Sequence, residues 1–368
     1  MRGTIDAGAN SRLQFASRVG PLERGPVALR AGRNTPLQLS VNAHALSILI
    51  EFSVRSLGGV RPRAEALLAR YRPERFHNVR LRLRSPVGAY SLSLAQVWPA
   101  FLNLLHELEI VCGTRSFLAG QEWDPEVLKK TEHLLYVLFE HIEDCDSILR
   151  ACFPSENLYK KDDRVKEYRK LVDGYRDQLG RIVNAIKHEQ GRLRSLVFYG
   201  DTYVNPGYFL EGVKADGSVG PDSRVHEGGD TAFSYAFDLR LHFVSLVVVS
   251  SLLARAVEAI VGPPDLSPEE LAATSDLKFR AVAMQLANFS RILFPDEYRK
   301  PFPGIELRNP EGATVVRISY PSETERGKEP DEEWFHVTVS YFGDGVTRTF
   351  TVPYKLVTRG AIPARNGG

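Results

Sequence analysis

Apolar residues recur along much of the chain at the three-to-four spacing of an α-helix. Ser40–Leu57 carries Leu46, Ile48, Leu49, Ile50, Phe52, Val54 and Leu57 before Gly58-Gly59, which predicts a helix with a glycine stop. Pro62–Tyr71 reads as a short basic helix. His77–Leu83 then alternates Val79, Leu81 and Leu83 with Arg80, Arg82 and Arg84, a strand pattern, and Tyr90–Leu94 would return after Pro86-Val87-Gly88 as a hairpin. Gln96–Val111 is amphipathic and ends at Gly113.

The middle of the chain predicts long helices. Asp124 is a good N-cap with Pro125 at the first helical position and Glu126 beside it. That helix runs to about Phe153, and Pro154–Asn157 breaks it before a second from about Asp162 to Arg192. Leu241–Ala254 is apolar for about 14 residues, short of the roughly 20 that span a bilayer, and suits a helix of about 235–261 buried on every side. With 96–111 these segments suffice for a four-helix bundle. Ser195–Tyr199 and Gly207–Val213 form a hairpin pattern, followed by a polar loop between Gly212 and Thr231 that holds His226, Glu227 and Asp230. Ser267-Pro268-Glu269-Glu270 starts another helix, to about Phe294. Thr314–Tyr320, Trp334–Phe342 and Val346–Val352 have strand character, with Gly343-Asp344-Gly345 turning the last two into a C-terminal hairpin. The expected class is α+β: a mainly α-helical bundle core with β-hairpin insertions and a C-terminal β-hairpin. Its parts are an N-terminal arm at 1–35, a helical core at 36–296 with hairpins near 77–94 and 195–213, a small β region at 305–357 and a frayed tail at 358–368.

Composition adds bounds. The 368 residues are 43% hydrophobic and 25% charged, ordinary for globular proteins. Cys112, Cys145 and Cys152 are too few and too widely spaced for a disulfide framework or a CxxC zinc site. The first 20 residues lack the apolar stretch of a secretory signal, so a soluble cytoplasmic protein, without a membrane partner, is expected. Net charge is only +2, yet residues 1–84 hold 15 Arg and no Lys against five acidic residues, whereas the remainder holds 32 Lys+Arg against 40 Asp+Glu. Such asymmetry marks a nucleic-acid or partner surface, with Arg80, Arg82, Arg84 and Arg192 as candidate contacts. An arginine-rich genome-wide codon usage would give the same count: Arg outnumbers Lys 35 to 12.

Strong catalytic signatures are missing from the sequence: it has no Walker A loop, GxGxxG, GxSxG or HExxH. His133 and His141 can share a helix face, without a third ligand in view, so no metal or cofactor is expected. The pairs Asp162-Asp163 and Glu269-Glu270 sit where helix starts favour negative charge. The richest segment is Arg181–His188. At 100° per residue Asp177, Arg181, Asn184, His188 and Arg192 form one polar stripe, turned away from the apolar face of Leu171, Tyr175, Leu179, Ile182 and Ile186.

Arg181 and His188, with six residues between, resemble the R-x(4–6)-H motif of HEPN domains, which are helical bundles. The resemblance covers at most residues 96–261. It implies a metal-independent ribonuclease of the toxin or antiviral phage-defence kind, working near a homodimer interface. His188 would handle protons as the ribose 2′-hydroxyl attacks phosphorus, Arg181 would stabilise phosphate charge, and Asn184 would orient the phosphate or His188. Asp177 would support them. Asp238 and His242, one turn apart at the start of the apolar helix, either face Arg181 and His188 in one pocket or cap that helix with Arg240 snorkelling outward. Tyr199, Tyr203, Tyr208 and Phe209 either stack bases or pack the hairpin on the bundle. The primary expectation is a non-enzymatic binding subunit of a larger cytoplasmic assembly, contacting RNA or another nucleic acid, or a protein partner, through the arginine-rich segment. The ribonuclease is the alternative.

Overall fold

The computed structural model describes residues 48–53, 62–113, 125–189, 191–199, 204–267, 277–309, 315–320, 336–339 and 349–354. The fold is α+β with a helical core. The described residues form helices α1 (Arg63–Leu68), α2 (Pro86–Gly113), α3 (Pro125–Ala151), α4 (Glu156–Lys161), α5 (Asp163–His188), α6 (Tyr235–Val261) and α7 (Leu277–Asn288), together with eight short strands.

Four long helices run up and down in turn. Ser93 of α2 meets His141 of α3, and Lys130 near the start of α3 meets Glu107 near the end of α2, so this pair is antiparallel. Arg169 and Arg176 of α5 pair with Asp146 and Glu143 of α3. The hydroxyls of Tyr235 on α6 and Thr131 on α3 lie 2.8 Å apart, and Arg164 of α5 donates to the Ala259 carbonyl near the other end of α6. Helices α1 and α7 fill the side between α2 and α6; the Phe279 ring of α7 packs on Trp98 and Phe243.

Helix α6 is the hub. It touches α1, α3, α5, α7, β3 (Val204–Val213), β5 (Phe233–Ser234) and β7 (Val315–Tyr320), which explains why it is apolar all round. At 27 residues it is longer than the apolar stretch suggests, and by length and composition it could cross a bilayer, but it lies mostly buried within the protein. Ser234 caps it by accepting from the Phe237 N–H.

Two small antiparallel sheets flank the bundle. In one, β7 lies between β1 (Ile48–Ser53) and β6 (Gly304–Arg308). In the other the order is β4 (Val219–Pro221), β3, β2 (Leu193–Tyr199), β8 (His336–Val339), with β5 also on β3. The β2–β3 hairpin matches the expected one near 195–213.

Two expectations are corrected. The helix over Ser40–Leu57 is a strand at 48–53, because Ile48 to Ser53 pair with Tyr320 to Val315; residues 40–47 and 54–57 lie outside the described residues. The hairpin near 77–94 does not form: 77–83 winds into a turn, and Tyr90–Leu94 belongs to α2. Tyr90, Leu94, Val97, Trp98, Phe101, Leu104, Leu105 and Leu108 are all buried, a helical repeat that continues seamlessly through the proposed second strand. The Gly343–Gly345 turn, the arm at 1–35 and the tail at 358–368 lie outside the described residues. The described strands of 305–357 join sheets shared with β1 and β2, and Thr351 pairs back to Val219. The cysteines are free; Cys145 and Cys152 are buried and Cys112 is half-buried, as small core residues.

Candidate functional site

The arginines of the basic segment divide into two sets. Among the described residues, Arg70 and Arg75 hold the end of α6, with Tyr71 between them. Arg75 donates to the Val261 carbonyl at 2.7 Å, the Tyr71 hydroxyl to Gly262 at 2.6 Å and Arg70 Nε to Leu266 at 2.8 Å. These acceptors are at and just beyond a helix C-terminus, where carbonyls lack partners and carry partial negative charge.

The second set sits on the 77–85 turn. His77 N–H donates to the Ala151 carbonyl at 2.7 Å, anchoring the turn to the end of α3. Leu81 N–H then reaches His77, Arg82 N–H reaches Val79, and Leu83 N–H reaches Asn78 at 2.8 Å. The last two bonds are the nested pair of a Schellman motif. Its left-handed position is Arg82, at φ 56°. Ser85 Oγ accepts from the Gly88 N–H and opens α2. Arg80, Arg82 and Arg84 are all exposed, and none makes a hydrogen bond or ion pair with the described residues. The nearest carboxyl to feel one of them is Asp144 on α3; burial raises it and Arg84 works the other way. Val79 beside them is 85% exposed.

Arg192 is exposed too, at the start of β2. It does not join the other three. Arg164 contacts the end of α6 that Arg75 caps, so α5 starts beside the 77–85 turn and carries the chain away by about 36 Å before β2 begins.

Four members of the expected α5 stripe, Asp177, Arg181, Asn184 and His188, face solvent as the periodicity predicts; the fifth, Arg192, is not on it, because α5 ends at His188. Arg181 is steadied by carbonyls, with Nε 3.3 Å from Asp177 O and Nη1 3.3 Å from Arg224 O. Asn184 and His188 make no side-chain hydrogen bond or ion pair among the described residues. Arg224 itself pairs with Glu189 and Asp222 beside this face.

Asp238 and His242 do not face that stripe. They are 3% and 1% exposed, on the buried side of α6. Tyr208 of β3 donates to Asp238 Oδ2 at 2.7 Å, and the same oxygen lies 3.2 Å from His242 Nε2, off the line of a hydrogen bond. His242 Nδ1 meets the Tyr175 hydroxyl of α5 at 3.0 Å. Burial holds both phenols far above their usual range, so both hydroxyls stay protonated. The four side chains tie α5, α6 and β3 together, and all four are buried. Neither expected arrangement of this cluster holds, because neither a shared pocket nor a helix cap forms.

Arg240 also departs from expectation. It does not snorkel; it is fully buried. Nη1 donates to Ala236 and Ser290, and Nη2 to Leu286 and Phe289, at 2.6–2.8 Å. Three of these carbonyls end α7, so Arg240 is the C-cap of a neighbouring helix. Nothing in the local sequence signals this.

The remaining polar candidates are structural. His133 is exposed, but His141 is buried between Ser93 and Cys145, and burial lowers it to about 4. His226 is buried and accepts from the Leu210 N–H; burial lowers it to about 3. Tyr208 and Phe209 pack inside, whereas the side chains of Tyr199 and Tyr203 lie outside the described residues. Glu297, buried, accepts from Ser234 N–H, Ser234 Oγ and Phe294 N–H, and burial raises it to about 8. Among the described residues no three His, Cys, Asp or Glu converge as a metal site. No protein-family model, curated protein or solved structure matches the chain.

Proposed function

We propose that the chain is a non-enzymatic binding subunit of a cytoplasmic assembly that engages nucleic acid through its arginine-rich N-terminal region. The observation that carries this reading is the 77–85 turn, which holds Arg80, Arg82 and Arg84 outward, with no side-chain hydrogen bond or ion pair among the described residues. Arginines kept for structure find acceptors, as Arg75 and Arg240 do. Three that find none, on one anchored turn, suit phosphate oxygens. The test is binding of a fluorescent 20-mer nucleic acid by the wild type and by the triple variant R80A/R82A/R84A. The reading requires tight binding by the first at low salt and at least tenfold weaker binding by the second.

A second reading rests on α5. Arg181, Asn184 and His188 share one solvent face, with Arg181 steadied by two carbonyls and His188 unpartnered among the described residues. This supports a HEPN-like metal-independent ribonuclease that pairs two copies of the chain across that face. RNA cleavage in EDTA that vanishes in both R181A and H188A would favour it over the binding reading.

A further inference from the structure

We infer that the 77–85 turn grips the phosphate backbone of a double-stranded nucleic acid, with Arg82 as its fixed central contact. The inference rests on the nucleic-acid reading above and names the form of the ligand.

The first ground is backbone strain. Arg82 occupies the left-handed position of a Schellman motif, at φ 56°. Glycine is the usual residue there, because a Cβ is disfavoured. The turn's hydrogen bonds use only backbone atoms, so glycine would make them equally well. The arginine side chain makes no hydrogen bond or ion pair among the described residues to offset its strain. A residue that weakens its own turn and serves nothing internal is explained by an external ligand.

The second ground is what surrounds the arginines. Proteins that hold single strands stack bases on exposed aromatic rings. Among the described residues no Phe, Tyr or Trp is exposed, and the large apolar residues that are, Val79 and Val87 at this turn included, are aliphatic. Among the described residues the exposed charge has no stacking surface beside it, which favours ligands read through phosphates.

The third ground is rigidity. The turn is pinned at one end to α3 through His77 and at the other to α2 through the Ser85 cap. Three guanidinium groups on a fixed turn match a fixed phosphate array. A duplex provides that array, whereas a flexible single strand must be ordered at an entropic cost.

The experiment measures fluorescence anisotropy of a labelled 20-bp DNA duplex and of one of its strands, with full-length protein, from 50 to 300 mM KCl. The duplex is expected to bind at least fivefold more tightly. The slope of log K against log salt is expected to become shallower by about 0.9 for each arginine removed, and by about 3 in R80A/R82A/R84A. R82G is expected to weaken duplex binding several-fold while raising the thermal midpoint by about 1–3 °C. The single strand binding as tightly as the duplex overturns this inference and leaves the proposed function standing. Loss of binding in R82G together with a lowered midpoint overturns it as well, because Arg82 would then be structural. An unchanged slope in the triple variant, or no binding to either probe, overturns both.

Discussion

Replacing Arg240 with methionine tests the most consequential contact that the sequence conceals. The side chain is fully buried, and its two terminal nitrogens donate to the carbonyls of Leu286, Phe289 and Ser290 at the end of α7, together with Ala236; Leu286 also accepts from the Phe289 N–H. Exchanging a buried ion pair for apolar residues is often harmless, because both charges leave together. Here only the cation leaves. The α7 carbonyls stay in place: Leu286 keeps its bond from the Phe289 N–H, whereas the half-buried Phe289 and Ser290 carbonyls each lose their arginine partner, at about 1–3 kcal/mol apiece. Ala236 loses less, since it can still accept a bond within α6. Methionine restores part of the packing against Phe302, which the guanidinium overlies at 5.8 Å. Burial also works against the native charge, drawing the guanidinium down to about 9, so part of the loss is recovered when it goes. The balance is a destabilisation of about 3–5 kcal/mol, a large share of the 5–15 kcal/mol typical of a folded domain. Arg240→Lys keeps the charge but cannot fork to both sides, and an intermediate loss of about 2 kcal/mol is expected. Urea unfolding followed by far-UV circular dichroism reads both values, provided the m-value is unchanged. A loss below about 1 kcal/mol for R240M, or equal stability of R240K and wild type, would refute the cap.

Three further outcomes follow from the same geometry. Gly207→Ala is expected to cost about 3 kcal/mol or more, because a Cβ there would stand 2.2 Å from the Phe233 carbonyl oxygen and 2.5 Å from the Phe294 ring; a thermal midpoint within 1 °C of wild type would contradict this. Asp238→Ala leaves the Tyr208 hydroxyl without its acceptor and removes the carboxylate beside His242, and a loss of about 3 kcal/mol is expected; a double-mutant cycle with Tyr208→Phe should give a coupling of about 1 kcal/mol or more, and additive effects would remove the network. Stability should also fall on acidification. His141 and His226 have folded values near 4 and 3 against 6.5 unfolded, so each contribution is present above about pH 6.5 and is lost as pH falls toward the folded value; Glu297, raised to about 8, acts in the opposite sense between pH 8 and 4.5. From pH 6.5 to 4.5 two histidines outweigh one carboxylate, leaving a net loss of about 1.4 kcal/mol per pH unit, and a flat urea midpoint over that range would contradict the assignments.

How much of this was legible in the chain depends on where each determinant lies. The long helices were legible because their determinants are local. Asp124-Pro125 starts α3, and the all-round apolar character of α6 corresponds to a helix enclosed by neighbours on every side. The exposure of the α5 stripe follows from the same period, since it is set by rotation about one axis. Strand β1 was misread because its partner, β7, lies more than 260 residues away, and Ile48 to Ile50 are apolar at every position, a run that suits helix and strand equally. The Val79–Arg84 alternation was misread for the opposite reason. It satisfies the strand pattern completely, yet a strand needs a ladder, and the returning half was already committed to α2 by the buried repeat from Tyr90 onward. With no partner strand, the segment satisfied its N–H groups on its own carbonyls, and the inward–outward alternation became three arginines facing solvent. Arg240 shows the limit of composition: the same residue type caps a helix within the core and lies unpaired at the 77–85 turn. The two uses differ only in whether a helix end with free carbonyls is within reach, a tertiary fact. That distinction also directs the functional argument, since an arginine without an internal acceptor is the one available to an external phosphate.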